Sequence, residues 1–346
     1  MPDETITADW RLTADSLRRE TVELPPPAMA ALSHPKGYVP NPAAVEAMNV
    51  AIALGQPLLI TGEPGCGKTE FADWVAWKLG QELSLKADEK PEFALHFSVK
   101  STTTADDLFY EVDAIERFHA AQQETDVDPR LFIRYQALGK AILWTMEKEE
   151  ATARAGDRNL DHPGTPRRSV VLLDEIDKAP VEVPNDLLDE LENLRFSVPA
   201  LDETFRANRD YPPIVLMTSN NLKALPDPFL RRCIYFHMDY PDKEELRRIL
   251  VSRITGFGND SLLIGDLVAL FGVLMKNRDR LARLPGTSEL LGFILALKAA
   301  GAGPGDRLTR LSDWRATAIM TLAKKEQDRK VLGEQLDLFH KQNAGA

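Results

Sequence analysis

The segment Gly62-Glu63-Pro64-Gly65-Cys66-Gly67-Lys68-Thr69 constrains this chain most, because it meets the pattern G-x-x-x-x-G-K-[ST] at every fixed position. The mechanism behind that pattern needs a strand before it and a helix after it. The preceding Gln56-Pro57-Leu58-Leu59-Ile60-Thr61 is a short apolar run that reads as a buried strand. The residues that follow place Phe71, Ala72, Val75, Ala76 and Leu79 on one stripe at helical spacing. Glycines let backbone wrap closely around phosphates, and the free N–H groups at a helix start point inward. The loop Gly62 to Thr69, with Glu70 directly after it, is therefore the expected nucleotide-binding segment. Lys68 is expected to reach the β- and γ-phosphates, and the Thr69 hydroxyl to ligate Mg²⁺. Cys66 stands where a helix N-terminus favours a thiolate. The expectation is a chain that binds a nucleoside triphosphate.

Two further strand-like runs end in polar groups suited to hydrolysis. Ser169-Val170-Val171-Leu172-Leu173-Asp174-Glu175 closes on adjacent carboxylates. Two roles need two carboxylates: Asp174 holds Mg²⁺, and Glu175 takes a proton from the attacking water or orients it. A solvated Asp-Glu pair at a strand end is the plain alternative, and the phosphate loop ahead of it favours the functional reading. Ile214-Val215-Leu216-Met217-Thr218-Ser219-Asn220 is a second buried run, ending in an amide able to hydrogen-bond that water or the γ-phosphate. Asn221 follows directly, and both asparagines also suit a turn. Leu225-Pro226-Asp227-Pro228-Phe229-Leu230-Arg231-Arg232-Cys233 carries two arginines. An arginine stabilises the charge spreading over a transferring γ-phosphoryl group and can come from a neighbouring copy. Surface arginines in salt bridges are the ordinary alternative.

Along the chain the pattern is α/β and then α. Residues 1 to about 33 are polar and end in Pro25-Pro26-Pro27, an expected arm or linker. From 34 to 240, strand-like runs at 57–61, 93–99, 170–173 and 214–218 alternate with helical ones, which predicts a parallel sheet flanked by helices. The charged stretch 146–169, poor in apolar residues, is expected to be a mobile loop. Residues 195–211 alternate around Pro199-Ala200-Leu201-Asp202-Glu203, an expected β-hairpin. The segment Asp107-Leu108-Phe109-Tyr110 reads either as an inserted element that handles a client or as the core of an amphipathic helix. Residues 241–346 are helical throughout, an expected all-α lid. Its stripes are Leu246, Ile249 and Leu250; Leu267, Leu270, Phe271 and Leu274; and Leu290, Ile294 and Leu297. No internal repeat is visible.

Composition narrows the partners. The 346 residues hold 42 Lys and Arg against 53 Asp and Glu, a net charge of −11, and no basic stripe. Such a surface repels nucleic acid. Two cysteines, both inside motifs, fit a reducing compartment better than a disulfide framework. The acidic start Met1-Pro2-Asp3-Glu4-Thr5 is unlike a signal peptide, and the densest apolar runs, 268–275 and 290–297, fall short of a membrane span. A cytoplasmic protein without membrane contact is expected.

In this order the motifs resemble the AAA+ ATPases, and most closely the MoxR family. Within it, the match is to the clade with an insertion in the second core helix and a hairpin before the sensor strand. The resemblance covers about residues 34 to 300. It implies a P-loop NTPase fold and a hexameric ring with ATP and Mg²⁺ at subunit interfaces. It also implies Walker A roles for Lys68 and Thr69, Walker B roles for Asp174 and Glu175, and the sensor 1 role for Asn220. Arg232 aligns best with the arginine finger, with Arg231 as alternate, and Tyr38-Val39-Pro40 lies where such proteins contact adenine. One departure stands out. Gly286-Thr287-Ser288-Glu289-Leu290 has Leu290 where a sensor 2 arginine is often found, so either that contact is missing or Arg280 or Arg283 supplies it.

MoxR-like proteins act as ATP-driven remodelling machines, often with a partner carrying a von Willebrand factor A domain, so a protein client is the leading expectation. A nucleic-acid motor, of restriction-translocase or branch-migration type, is the alternative, and the acidic balance opposes it. A switch that binds without hydrolysing has no need of Glu175, Asn220 and Arg232 together. A GTPase is disfavoured because no Asn-Lys-x-Asp block appears.

Overall fold

The computed structural model of this chain describes residues 29, 32, 34–83, 93–123, 128–158, 160–220 and 225–343. The expected arm at 1–33 lies almost wholly outside the described residues, as does Asn221. Two compact units are present. Of the described residues, one comprises those in 40–62 and 68–238; the other comprises 29, 32, 34–39, the short stretch 63–67, and 239–343.

The first unit is α/β. In chain order it contains α1 (Pro42–Leu54), β1 (Leu58–Thr61), α2 (Lys68–Lys78), β2 (Leu95–Ser98), β3 (Tyr110–Val112), α3 (Ala114–Gln123), β4 (Ile133–Tyr135), α4 (Ala137–Leu143), α5 (Lys148–Ala155), β5 (Val170–Asp174), α6 (Glu182–Asn193), β6 (Arg195–Val198), β7 (Glu203–Arg206), β8 (Ile214–Ser219), α7 (Asp227–Leu230) and β9 (Ile234–His237). Five strands pair in parallel in the order β2-β5-β8-β1-β9. β1 and β8 are buried along their whole length and β5 over its four apolar residues, as expected for strands covered on both faces. α1 starts where the Asn41 side chain accepts from the amides of Ala43 and Ala44, and stops at Gly55 with φ 65°.

The four expected strands are all present, and β9 is a fifth that the apolar-run criterion overlooked. Among the described residues it is an edge strand pairing with β1 alone, with Tyr235 and His237 exposed and Ile234 and Phe236 half-buried, and its apolar run of three residues is too short to stand out. Leu79 departs from its expected stripe: it lies past the end of α2 and is 56% exposed. The stretch 146–169 is not simply a loop, because it holds α5. That helix packs through Ala151 and Ala155, both buried, so it needs no large apolar residue. Beyond it the Trp144 indole N–H donates to the Leu160 carbonyl at 2.9 Å, and the Arg167 guanidinium lies 5.0 Å over the same ring.

The segment 107–110 is not an amphipathic helix either. Asp106–Leu108 is one 3-10 turn leading into β3, and Leu108, Phe109 and Tyr110 are all buried, which withdraws their side chains from any client. β3 pairs antiparallel with β4, and β6 with β7 in the expected hairpin, where Phe196 stands opposite Phe205. The Phe196 ring stacks on Phe205 at 5.1 Å and on Phe109 at 5.2 Å, so one aromatic cluster anchors both additions. α3 behaves differently. None of its described residues is buried, and Ile115 and Phe118 are 73% and 61% exposed.

The second unit is helical: α8 (Lys243–Arg253), α9 (Leu262–Lys276), α10 (Thr287–Ala299), α11 (Trp314–Leu322) and α12 (Glu326–Asn343). The expected stripes form its core, apart from Ile249, which is not fully buried. α8 begins with a reciprocal cap between Asp242 and Glu245. Two buried carboxylates pin connections: Asp266 accepts from Arg307 at 2.7 Å and from the Leu308 amide at 2.9 Å, and Asp328 accepts from the Ala282 amide at 2.7 Å. Among the described residues no helix is long and apolar enough to cross a membrane.

Gly139, inside α4, has the tightest surroundings of any glycine described. A Cβ there would sit 2.0 Å from the carbonyl oxygen of Phe109, a backbone atom with nowhere to go. Gly139→Ala should therefore destabilise the α/β unit by about 3 kcal/mol, at the upper end of overpacking costs. Urea denaturation checks this, and a loss below about 1 kcal/mol contradicts the close approach.

Candidate active site

Strand register assembles the site. Leu173 of β5 pairs with Met217 of β8, and Ile60 of β1 pairs with Thr218, so the C-terminal ends of three adjacent strands lie side by side. Ligands in open parallel sheets bind at that end. Asp174 closes β5, Ser219 closes β8, and Thr61 closes β1 ahead of the phosphate loop.

Lys68, the first residue of α2, is buried. Burying an ammonium is costly unless it is paired, and here Nζ donates to the Gly62 carbonyl at 2.7 Å and to Asn220 Oδ1 at 3.0 Å. Asn220 Nδ2 donates in turn to Glu175 Oε1 at 3.1 Å, and the Asn220 amide donates to Asp177 Oδ1 at 3.1 Å. The other Glu175 oxygen, Oε2, pairs with the Lys178 ammonium, which raises the Lys178 pKa above its ordinary value. Thr69 Oγ1 lies 3.4 Å from both Asp174 oxygens, the long edge of hydrogen bonding. Asp174 Oδ1 also accepts from Thr218 Oγ1, and the same hydroxyl accepts from the Glu175 amide at 2.8 Å.

The fold thus brings together Lys68, Thr69, Asp174, Glu175 and Asn220. It adds Thr218, Asp177 and Lys178, which sequence reasoning passed over. A signal existed for two of them. Thr218 is a hydroxyl inside an otherwise apolar strand, and Lys178 follows Glu175 at a three-residue spacing.

Arg231 and Arg232 are not part of this cluster. Both are exposed, and Arg232 Nε faces Glu192 Oε2 of α6 at 3.4 Å. Arg232 also borders a cavity of about 300 Å³ that Leu188, Phe229 and Cys233 help to line. Glu70 points to solvent from the first turn of α2.

In the helical unit, the loop stretch 63–67 has its own fastenings. The Thr287 amide donates to the Gly65 carbonyl at 3.0 Å, and Tyr38 Oη donates to the Gly67 carbonyl at 3.2 Å. Gly65 has φ 85°, and a Cβ there would meet Ser288 Oγ and Glu289 Oε2 at 3.2 Å, so glycine is required twice over. Glu63 and Pro64 are exposed, and Cys66 and Val39 are half-buried. Burial pushes the Tyr240 hydroxyl up to about 12, with smaller contributions from Glu63 and Cys66. Leu290 is a core residue of this unit. The two arginines expected as substitutes are both paired, Arg280 with Glu334 at 2.6 Å and Arg283 with Glu289 at 2.9 Å. Of these, Arg283 is tied to the carboxylate beside Gly65.

The donor chemistry fits the implied groups. Thr69 and Asp174 offer neighbouring hard oxygens, the set that Mg²⁺ takes. A positive-φ loop closing on a lysine at a helix start suits a triphosphate.

Comparison with known proteins agrees with this geometry. The family model described as "AAA domain (dynein-related subfamily)" matches residues 57–233, about half of the chain. That span runs from β1 past α7. Protein CbbQ of Allochromatium vinosum is 38% identical over 52 residues, which is 15% of this chain and 70% of that protein.

The two thiols should report separately on the site. Burial pushes the Cys233 thiol up to about 12, which keeps it protonated at neutral pH. Cys66 lies within the loop, so a thiol reagent at pH 7.5 should label it first and abolish ATPase activity, with bound ATP protecting. Mass spectrometry of the labelled protein checks this, and full activity with Cys66 fully labelled contradicts it.

Proposed function

Since the chain belongs to the AAA domain family, dynein-related subfamily, and is an ATPase of the MoxR type, we propose that it hydrolyses ATP at the subunit interfaces of a hexameric ring and uses the cycle to remodel or activate a partner protein complex. The observation that carries the hydrolytic part is the bridge from the buried Lys68 through Asn220 to Glu175. It links a phosphate-binding cation to a carboxylate by one amide. Lys68 and the loop amides bind and orient the triphosphate. Glu175 positions the attacking water and takes its proton, while Asn220 holds that carboxylate on line with the γ-phosphate. Thr69 and Asp174 would hold Mg²⁺, which supplies charge neutralisation across the phosphates. Tyr38 and Val39 would face the adenine.

The ring is supported by Arg231 and Arg232, exposed and apart from the chain's own site. From these exposed positions they could serve a neighbour's site, with Arg232, now facing Glu192, as the finger. The client is proposed to be a protein complex, reached with a partner bearing a von Willebrand factor A domain, in the cytoplasm. The hairpin of β6 and β7 is the candidate for client contact.

Lys68→Ala should abolish nucleotide binding, whereas Glu175→Gln should bind ATP and not turn it over. Lys68 meets ground-state phosphates, and Glu175 acts only as water attacks. Calorimetry with ATP and a phosphate-release assay separate the two. Tight ATP binding by the first variant, or near-normal turnover by the second, overturns the site assignment.

Arg232→Ala should keep ATP affinity while turnover falls by about a thousandfold, the usual scale for a finger supplied in trans. Mixing it with Glu175→Gln should restore part of the activity, because some interfaces then pair an intact Arg232 with an intact Glu175. Activity per subunit that stays constant on dilution to monomers removes the shared-site model. A larger loss in Arg231→Ala exchanges the two roles.

A further inference from the structure

We infer that Thr218 is a positioning residue for hydrolysis, its single buried hydroxyl setting both the Asp174 carboxylate and the backbone at Glu175; this rests on the hydrolytic reading above. Thr218 lies in β8, fully buried, between Ile60 of β1 and the end of β5. A hydroxyl has one proton to donate and two lone pairs to accept with. The proton goes to Asp174 Oδ1, and one lone pair takes the Glu175 amide at 2.8 Å. Two consecutive acidic residues with separate tasks are therefore tied to one oxygen on the neighbouring strand.

The backbone shows what that tie does. Glu175 has φ 61° and ψ 51°, the left-handed region that side chains with a Cβ rarely adopt. β5 ends one residue earlier, so no strand ladder holds Glu175 there. The hydrogen bond that its N–H donates to Thr218 Oγ1 fixes the backbone in this orientation. The turn then delivers the Glu175 side chain to Asn220 on one oxygen and to Lys178 on the other. Strain of this kind persists only where the surroundings over-determine it, and it gathers at functional sites. On the Asp174 side, the Thr218 proton occupies Oδ1 and fixes the rotation of the carboxylate that faces Thr69.

Valine keeps the β-branched shape and strand preference of threonine and removes both bonds; serine keeps both bonds and removes the methyl group. Thr218→Val should lower kcat by about tenfold or more with ATP affinity in EDTA unchanged, the pattern of a lost transition-state interaction. Calorimetry should also show the Mg²⁺-dependent tightening of ATP binding weakened by about threefold or more, since Asp174 is no longer aimed. Thr218→Ser should stay within about threefold of the parent in both measurements. The inference is overturned if Thr218→Val keeps its kcat and its Mg²⁺ response, or if serine falls as far as valine, which assigns the site to methyl packing. It is overturned too if Thr218→Val loses cooperative melting while serine keeps it, because the hydroxyl then serves the fold. Glu175→Gln measured in parallel separates the two levels. Normal turnover there removes the hydrolytic reading itself, whereas a silent Glu175→Gln beside an active Thr218→Val removes only the role of Thr218.

Discussion

The parallel pairing of β5, β8 and β1 in one fixed register is the constraint on which the candidate site depends. Parallel ladders carry no polar information of their own, yet they decide which side chains end up adjacent. With Leu173 opposite Met217 and Ile60 opposite Thr218, the hydroxyl of β8 falls beside the Asp174 carboxylate and the Glu175 amide at the end of β5. A slip of one residue would send Thr218 to the other face and separate it from Asp174. The apolar residues of these strands hold the register, because both faces of the central sheet are buried and any shift would expose or clash them.

Upon that frame lies a polar network in which each buried charge has partners. Lys68 is the most demanding member, an ammonium taken out of water and held by one carbonyl and one amide oxygen. Asn220 serves it with its oxygen and serves Glu175 with its nitrogen, so the orientation of one amide group links cation to carboxylate. Networks of this sort are rigid when fully satisfied and costly when broken. That is why substitution at Asn220 or Thr218 should be felt beyond its own bond. The loop stretch 63–67 is fastened separately, through the backbone carbonyls of Gly65 and Gly67.

The additions to the sheet follow a different logic. The pairs β3–β4 and β6–β7 are too short to stand alone, and a shared cluster of Phe109, Tyr110, Tyr135, Phe196 and Phe205 supplies their core. Arg154 reinforces the hairpin, pairing with Glu203 at 2.7 Å while its guanidinium lies 5.0 Å from the Phe205 ring. The hairpin is thereby anchored through its buried Phe196, Val198 and Phe205, while Asp202 and Glu203 lie at its turn.

Local pattern determined a good deal here. The glycine spacing and the terminal lysine marked the phosphate loop, the apolar runs marked four strands, and helical stripes marked the α-helical region beyond 240. These features are legible because each depends on residues close in sequence. Other features were decided only when distant segments met. β9 is hidden because its run at the sheet edge is short and at most half-buried, and α5 because alanines do its packing. Phe109 and Tyr110 became core because Phe196, far along the chain, stacks against them. Lys68 and Asn220 are 152 positions apart, and the 2.8 Å bond from Glu175 to Thr218 spans 43. Sequence supplied the residue types for that chemistry, but bonds of about 3 Å between separate strands are products of register, and register is set by the packed sheet as a whole.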